Sequence, residues 1–243
     1  MAQRPQVTSV HLDGREIPLQ VVRSARRRRT IAIGVDSGVV VVRAPMRTTT
    51  TEVARMVELR RSWILQRLDS AALQPRRTFE DGETLPYLGR EMRLRVVPVA
   101  GRRSRAAVEG DELVVHVPEA MDAEARREKA RRILAAWYRD RAAELFGEFA
   151  RHWSSESGLV PRALMVRDQK SRWGSCGPDG TIRLNWRLVL GAPDLAEYVV
   201  VHEIAHLRHR NHQQAFWQEV ARMLPDFQSR RKRLREAGAG FVL

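Results

Sequence analysis

Leu195-Ala-Glu-Tyr-Val-Val-Val-His-Glu-Ile-Ala-His-Leu207 is the stretch that decides how this 243-residue chain folds. Leu195, Val199, Val200, Val201, Ile204, Ala205 and Leu207 place apolar groups on nearly every side of a helix predicted from about Asp194 to His209, which marks it as buried. Into that helix the chain sets two imidazoles and a carboxylate. Buried polar groups without partners cost several kcal/mol each, so these three need an explanation. His202 and His206 are four apart and share one helical face, where they can hold one metal ion together. Glu203 stands beside the first histidine, within reach of a water on that ion without being a ligand. In a chain of this composition a His-Glu-x-x-His pattern is expected by chance roughly 0.015 times. Zinc in such a site acts as a Lewis acid and lowers the pKa of its water, and the glutamate takes the proton.

A catalytic zinc takes three protein ligands and leaves one position for water. His209 and His212 are the candidates for the third. On an unbroken helix His212 would lie about 15 Å along the axis from His202, and His209 about 10 Å, so either requires a break after His206. Asn211 supplies a place to turn, by a left-handed backbone or by capping the next helix. That favours His212 and leaves His209 to support the ligands or to lie on the surface.

Outward from this helix the pattern changes twice. Toward the C-terminus a second helix is predicted from about Gln213 to Met223, before Pro225. Toward the N-terminus come short strands around Ala163 to Val166, Ser171 to Ser175 and Thr181 to Leu188, with a turn at Gly177 to Gly180. Before them a long helix begins at an Asp122 N-cap and stops at Ser157-Gly158. Residues 78–118 read as strands, and Thr49 with Glu52 opens a helix to about Ser70. Residues 7–45 alternate apolar and polar around turns at Asp13-Gly14 and Asp36-Ser-Gly38, as a β-meander would. No internal repeat stands out. The shift in composition near residue 120 divides the chain into a β-rich region with one helix, 1–120, and a helix-rich domain, 121–243. The fold class is α+β.

The bulk numbers bound the function. No stretch approaches the roughly 20 apolar residues that cross a bilayer, so no membrane partner is expected. The first twenty residues lack the apolar core of a secretory signal, and the single Cys176 can form no internal disulfide; both point to the cytoplasm. A net charge of +14 invites nucleic acid as a partner. Against that, only three of the 43 basic residues are lysine, a skew that resembles genome-wide arginine bias. The arginines are also spread through the chain: Arg26 to Arg29, Arg60 and Arg61, Arg102 and Arg103, Arg131 and Arg132, Arg230 to Arg235. Dispersed charge of this kind usually solvates surfaces. Nothing in the sequence sets an oligomeric state.

The block Ser171-Arg-Trp-Gly-Ser-Cys176 has two readings. Arg172 can clamp a phosphate or carboxylate bidentately, and Ser175 can line the cleft. Alternatively Trp173 and Gly174 fill and bend a strand beside the metal helix. A nucleophilic Cys176 is not needed where a metal-activated water exists.

Taken together, Ser171 to Cys176, Asn185-Trp186, His202 to His206, Asn211-His212 and Phe216-Trp217 resemble, in order, the motifs of the YgjP-like metallopeptidase-domain family, relatives of the SprT-like zincins. The match is close over about 160–230 and loose before it. The resemblance implies a zincin-like hydrolase domain, with Zn2+ held by His202, His206 and His212 and Glu203 as general base. Arg172, Ser175 and Asn185 are the candidate substrate contacts, and by resemblance the strand Thr181 to Leu188 would align an extended peptide. Three functions compete: a metallopeptidase, which leads; a metal-dependent nucleoside triphosphate hydrolase, for which a P-loop is missing; and a non-catalytic nucleic-acid-binding protein, which leaves Glu203 unexplained.

Overall fold

The computed structural model describes residues 6–25, 27–36, 38–72, 77–101, 104–169 and 171–243, and these fall in two compact units, Met1–Pro75 and Arg76–Leu243. Arg26, Ser37, Arg102, Arg103 and Lys170 lie outside the described residues.

In the first unit, strands β1 (Gln6–Leu12), β2 (Arg15–Ser24), β3 (Ala32–Asp36) and β4 (Val39–Pro45) precede helices α1 (Thr50–Leu59) and α2 (Arg61–Ala72). The sheet is not the expected meander. Its order is β1-β2-β4-β3, with β4 parallel to β2 and antiparallel to β3. The reason is in Val39-Val-Val-Val42: a continuous apolar run suits a strand paired on both sides better than one at an edge. Val40 and Val42 are fully buried. The expected capping box forms, with Thr49 and Glu52 satisfying each other's backbone N–H groups. The single helix expected to Ser70 breaks at Arg60, which closes α1 by bonding back to Val57. Val53, Val57, Ile64 and Leu68 then cover the sheet and complete a core belonging to this unit alone.

The second unit opens with β5 (Thr84–Tyr87), β6 (Arg90–Val99), β7 (Arg105–Glu109) and β8 (Glu112–Pro118). Helix α3 (Ala123–Ser157) follows, opened by the Asp122 side chain and closed by a left-handed Gly158, as the sequence indicates. At 35 residues it is about 52 Å long. Leu94, Leu113, Val115 and Val117 share one core with Ala130, Leu134 and Tyr138 of α3, and the Tyr138 hydroxyl donates to the Pro86 carbonyl at 2.8 Å. A division at residue 120 would cut through that core. The boundary therefore lies near 75, and the second sheet belongs with the helical part.

The rest of the unit is β9 (Ala163–Arg167), β10 (Gly174–Cys176), β11 (Thr181–Asn185), a 3-10 turn (Trp186–Leu190), α4 (Pro193–Ala205), α5 (Gln214–Met223) and α6 (Phe227–Ala237). Helix α6 has no counterpart in the sequence reading. Only Phe227 and Leu234 of its residues are buried, too few to make a visible period among its arginines. No helix among the described residues is long and apolar enough to cross a membrane.

The two sheets also correct the reading that the chain lacks repeats. Both run first-second-fourth-third. Leu19 pairs with Val40 as Leu94 pairs with Leu113, and Ala32 pairs with Arg43 as Arg105 pairs with His116. Both open with a hairpin turn of two positive φ angles, 47° and 75° at Asp13-Gly14 and 51° and 76° at Leu88-Gly89. That is the backbone of a type I′ turn. The sequence echo is short: Gly14-Arg-Glu-Ile-Pro-Leu-Gln-Val-Val22 against Gly89-Arg-Glu-Met-Arg-Leu-Arg-Val-Val97. Equivalent positions lie 75 apart before the loop (Leu19, Leu94) and 73 apart after it (Val40, Leu113), which blurs any fixed period.

Separate cores give a test. Ile64→Ala, at a fully buried site, should cost about 2–5 kcal/mol. Hydrogen-exchange mass spectrometry should show faster exchange within 6–72 and no change within 104–169. Faster exchange in both would mean that the units unfold as one.

Candidate metal centre

Helix α4 starts with Pro193 in its first turn and buries Leu195, Val199, Val200, Val201, Ile204 and Ala205. Each fully buried aliphatic side chain contributes about 1.5–3 kcal/mol, enough to hold a helix that carries polar groups inward. The helix ends at His206, where the predicted break occurs. Leu207 N–H bonds to Ile204 and Arg208 N–H to Ala205, tightening the last turn. Asn211 makes the second corner with its side chain, Oδ1 accepting from Gln213 N–H at 3.3 Å, and not with a left-handed backbone. The loop between is fixed on both sides. Arg208 donates to Glu219 of α5 at 2.8 Å, and Arg210 to the Gly177 carbonyl of the β10–β11 turn at 2.8 Å.

This path folds His212 back. The ligand nitrogens of His202, His206 and His212 lie within 4.8 Å of one another, and the Nε2 atoms of His202 and His212 are 3.0 Å apart. A tetrahedral ion with bonds of 2.0–2.1 Å sets nitrogens about 3.3 Å apart, so the three imidazoles fit a divalent cation. Burial, then the charges of the neighbouring histidines, pushes the His202 pKa down to about 3. Burial also lowers His206. Neutral imidazole is the form that binds metal. The His206 tautomer is fixed as well, because its Nδ1 meets the His209 carbonyl at 2.8 Å and must donate to it, which frees Nε2. His209 thus serves through its backbone, while its side chain stands 3.9 Å from Glu219. Phe216 stacks on His206 at 4.5 Å, and Trp217 stacks on His212 at 5.6 Å. Trp217 Nε1 also donates to the His212 carbonyl at 3.0 Å.

Glu203 is 5% exposed, and its Oε2 has no hydrogen-bond partner among the described residues. Burial pushes its pKa up to about 7, against a lowering by the charge of Arg172. What brings the carboxylate so near the sheet is Gly174. A Cβ there would stand 2.5 Å from Glu203 Oε1 and 2.8 Å from its Cγ. Gly174 is therefore a clearance for Glu203, a sharper role than bending a strand.

The expected substrate contacts separate. The Arg172 guanidinium is exposed, has no ion-pair partner among the described residues, and its charge is felt at Glu203. Asn185 is 3% exposed and fully engaged: its Nδ2 donates to the carbonyls of Gln169 (2.7 Å) and Arg172 (3.3 Å), and its Oδ1 accepts from Arg187 N–H. These bonds brace the strand entry and use both amide hydrogens of Asn185. Alternation along β10 turns Ser175 to the face opposite Gly174, away from Glu203. Cys176 receives a weak contact from Arg210 at 3.6 Å, and burial raises its pKa, which suits an inert thiol.

The strand expected to align a peptide is also displaced. β11 ends at Asn185 and is the middle strand of the sheet β10-β11-β9, so its backbone is paired on both sides. The edge strand packed on α4 is β10.

A cavity of about 350 Å³ adjoins the site, lined by Trp173, Gly174, Tyr198, Val199, His202, Glu203, Arg231, Leu234 and Arg235. Tyr198 and the α6 residues escaped the sequence reading. Tyr198 was detectable, standing one helical turn before His202; the α6 residues were not, since no motif marks that helix.

Metal competition against a chromophoric chelator tests the ligand set. His212→Ala should abolish tight binding of zinc, whereas His209→Ala should leave it within about threefold, since only the backbone of His209 takes part. Trp217→Phe, which removes the bond to the His212 carbonyl, should weaken it about tenfold. A larger loss in His209→Ala than in His212→Ala would overturn this arrangement.

No curated protein matches the chain. Among solved structures, the crystal structure of the metallopeptidase zymogen of Pyrococcus abyssi abylysin is similar, with 22% identity over 37% of this chain and 90% of that one and a TM-score of 0.34. The sequence profile described as "YgjP-like, metallopeptidase domain" matches residues 29–237. That span runs from just before β3 through α6, taking in the whole second sheet, the β10 strand and all three clustered histidines, and the chain belongs to the YgjP-like metallopeptidase-domain family.

Proposed function

We propose that the protein is a zinc peptidase in which His202, His206 and His212 hold the metal and Glu203 is the general base. The observation that carries this reading is the three gathered imidazole nitrogens beside a buried carboxylate whose Oε2 has no partner among the described residues, at the wall of an open cavity. Zinc bound there supplies Lewis-acid polarisation of a carbonyl and a lowered pKa for water. Glu203 accepts the proton of the attacking water and returns it to the leaving amine. A cation beside it favours the charged carboxylate, offsetting the burial that otherwise keeps the proton on. Arg172 is placed to stabilise negative charge developing on the carbonyl oxygen. The free edge of β10 offers backbone groups to an extended peptide, which favours a polypeptide substrate over a nucleotide.

Glu203→Gln keeps nearly the same shape but cannot accept a proton. It should retain one zinc per chain and a melting temperature close to wild type, while turnover falls at least about 10²-fold. Gly174→Ala should also spare the zinc and lose activity, because its methyl group displaces the Glu203 carboxylate. The assay pairs metal analysis with turnover of a peptide library and a nucleotide panel on the same preparation. Activity of Glu203→Gln within about tenfold of wild type would remove it as the base. Hydrolysis of nucleoside triphosphates without cleavage of any peptide would overturn the peptidase reading.

A further inference from the structure

The cavity beside Glu203 has a divided lining. Trp173, Val199, Tyr198 and Leu234 give it apolar walls, and Arg231 and Arg235, one turn apart on α6, supply two positive charges. Helix α6 carries other arginines, but these are engaged elsewhere. Arg230 pairs with Glu197 and Asp226, and Arg233 pairs with Asp194. Arg231 and Arg235 have no carboxylate partner among the described residues, although partners are plentiful along the rest of the helix. Arg231 is held in place by lying over the Trp217 ring at 4.7 Å, the ring whose stacking also positions His212. The charges of both arginines reach the Tyr198 phenol, and that of Arg231 reaches His202.

The walls themselves are fixed. Trp173 packs edge-on to Phe241 at 5.5 Å, and a Cβ on Gly238 would stand 2.7 Å from its ring. The C-terminal tail after α6 thus holds the aromatic wall against the strand that carries Gly174.

We propose that this cavity is a specificity pocket for an acidic side chain of a peptide substrate, at a residue flanking the scissile bond. Its apolar walls take the methylene stem, and Arg231 and Arg235 take the carboxylate. Glutamate suits this division better than aspartate, since its longer stem covers more of the apolar wall before the charge reaches the arginines. The inference rests on the peptidase reading above and adds to it the class of residue selected.

The test uses the full-length zinc-loaded protein and peptides that differ only by Glu, Gln or Lys at each position flanking the bond cleaved. Glu should be preferred over Gln by about tenfold in kcat/KM, mostly through KM, and the preference should shrink at high salt. Arg231→Gln/Arg235→Gln should bring Glu and Gln within about twofold, while Lys232→Gln, which removes a charge from the same helix outside the cavity, should keep the preference. Fluorescence anisotropy of the same peptides on zinc-loaded Glu203→Gln gives the preference without turnover. Equal cleavage and equal binding of Glu and Gln peptides, or a preference that survives the double substitution, would overturn the pocket and leave the peptidase reading standing. Cleavage of no peptide would remove the peptidase reading, and the pocket with it.

Discussion

Where β10 crosses α4, the strand backbone and the Glu203 carboxylate approach so closely that one methyl group on Gly174 would overlap Oε1. That approach organises the catalytic side of the molecule. It requires β10 to be held rigidly, and the buried Asn185 does so by taking the Gln169 and Arg172 carbonyls with one amide. It also requires the next residue, Trp173, to be held from outside, and Gly238 and Phe241 do that. Residues far apart in sequence, on β11 and in the C-terminal tail, therefore serve the position of one carboxylate.

The histidine side depends on a different balance. Of the polar groups on a helix as apolar as α4, the buried His202 Nδ1 and Glu203 Oε2 have no hydrogen-bond partner among the described residues, a cost that the surrounding packing must offset. His206 finds a carbonyl in the loop that its own helix end creates, and Phe216 and Trp217 supply the faces on which His206 and His212 lie. Glu219, 9% exposed, gathers Arg208 and Arg222, so the loop that returns His212 is anchored to α5. Burial alone would push the Glu219 carboxyl up, but the hydrogen bonds from Arg222 and Arg208 hold it below the ordinary value. Some of the arginines that give this chain its +14 charge thus serve as fasteners of the loop and helices around the site.

Legibility from sequence followed the strength of local signals. His202, Glu203 and His206 could be read because helical spacing alone puts them together, and the break after His206 because no unbroken helix brings a third histidine near. The α+β class and the caps at Thr49, Asp122 and Gly158 were equally local. What escaped depended on pairing between distant segments. The edge position of β10 cannot be known without knowing that β11 is flanked by β9, and the role of Asn185 depends on the same sheet. The division near residue 75 was hidden because composition changes at 120, whereas the shared core of β8 and α3 ignores that change.

The doubled scaffold has a consequence for how this sequence can drift. In the second copy the hairpin turn is occupied: Leu88 N–H donates to the Val189 carbonyl at 2.7 Å, and a Cβ on Gly89 would stand 2.9 Å from the Ala192 Cα. In the first copy nothing lies within 4 Å of where a Cβ on Gly14 would point. Positive φ alone constrains Gly14, and asparagine satisfies that condition at small cost. Gly89 must satisfy both the angle and the contact, so only glycine fits. Two turns of the same shape thus accept different alphabets at the same position.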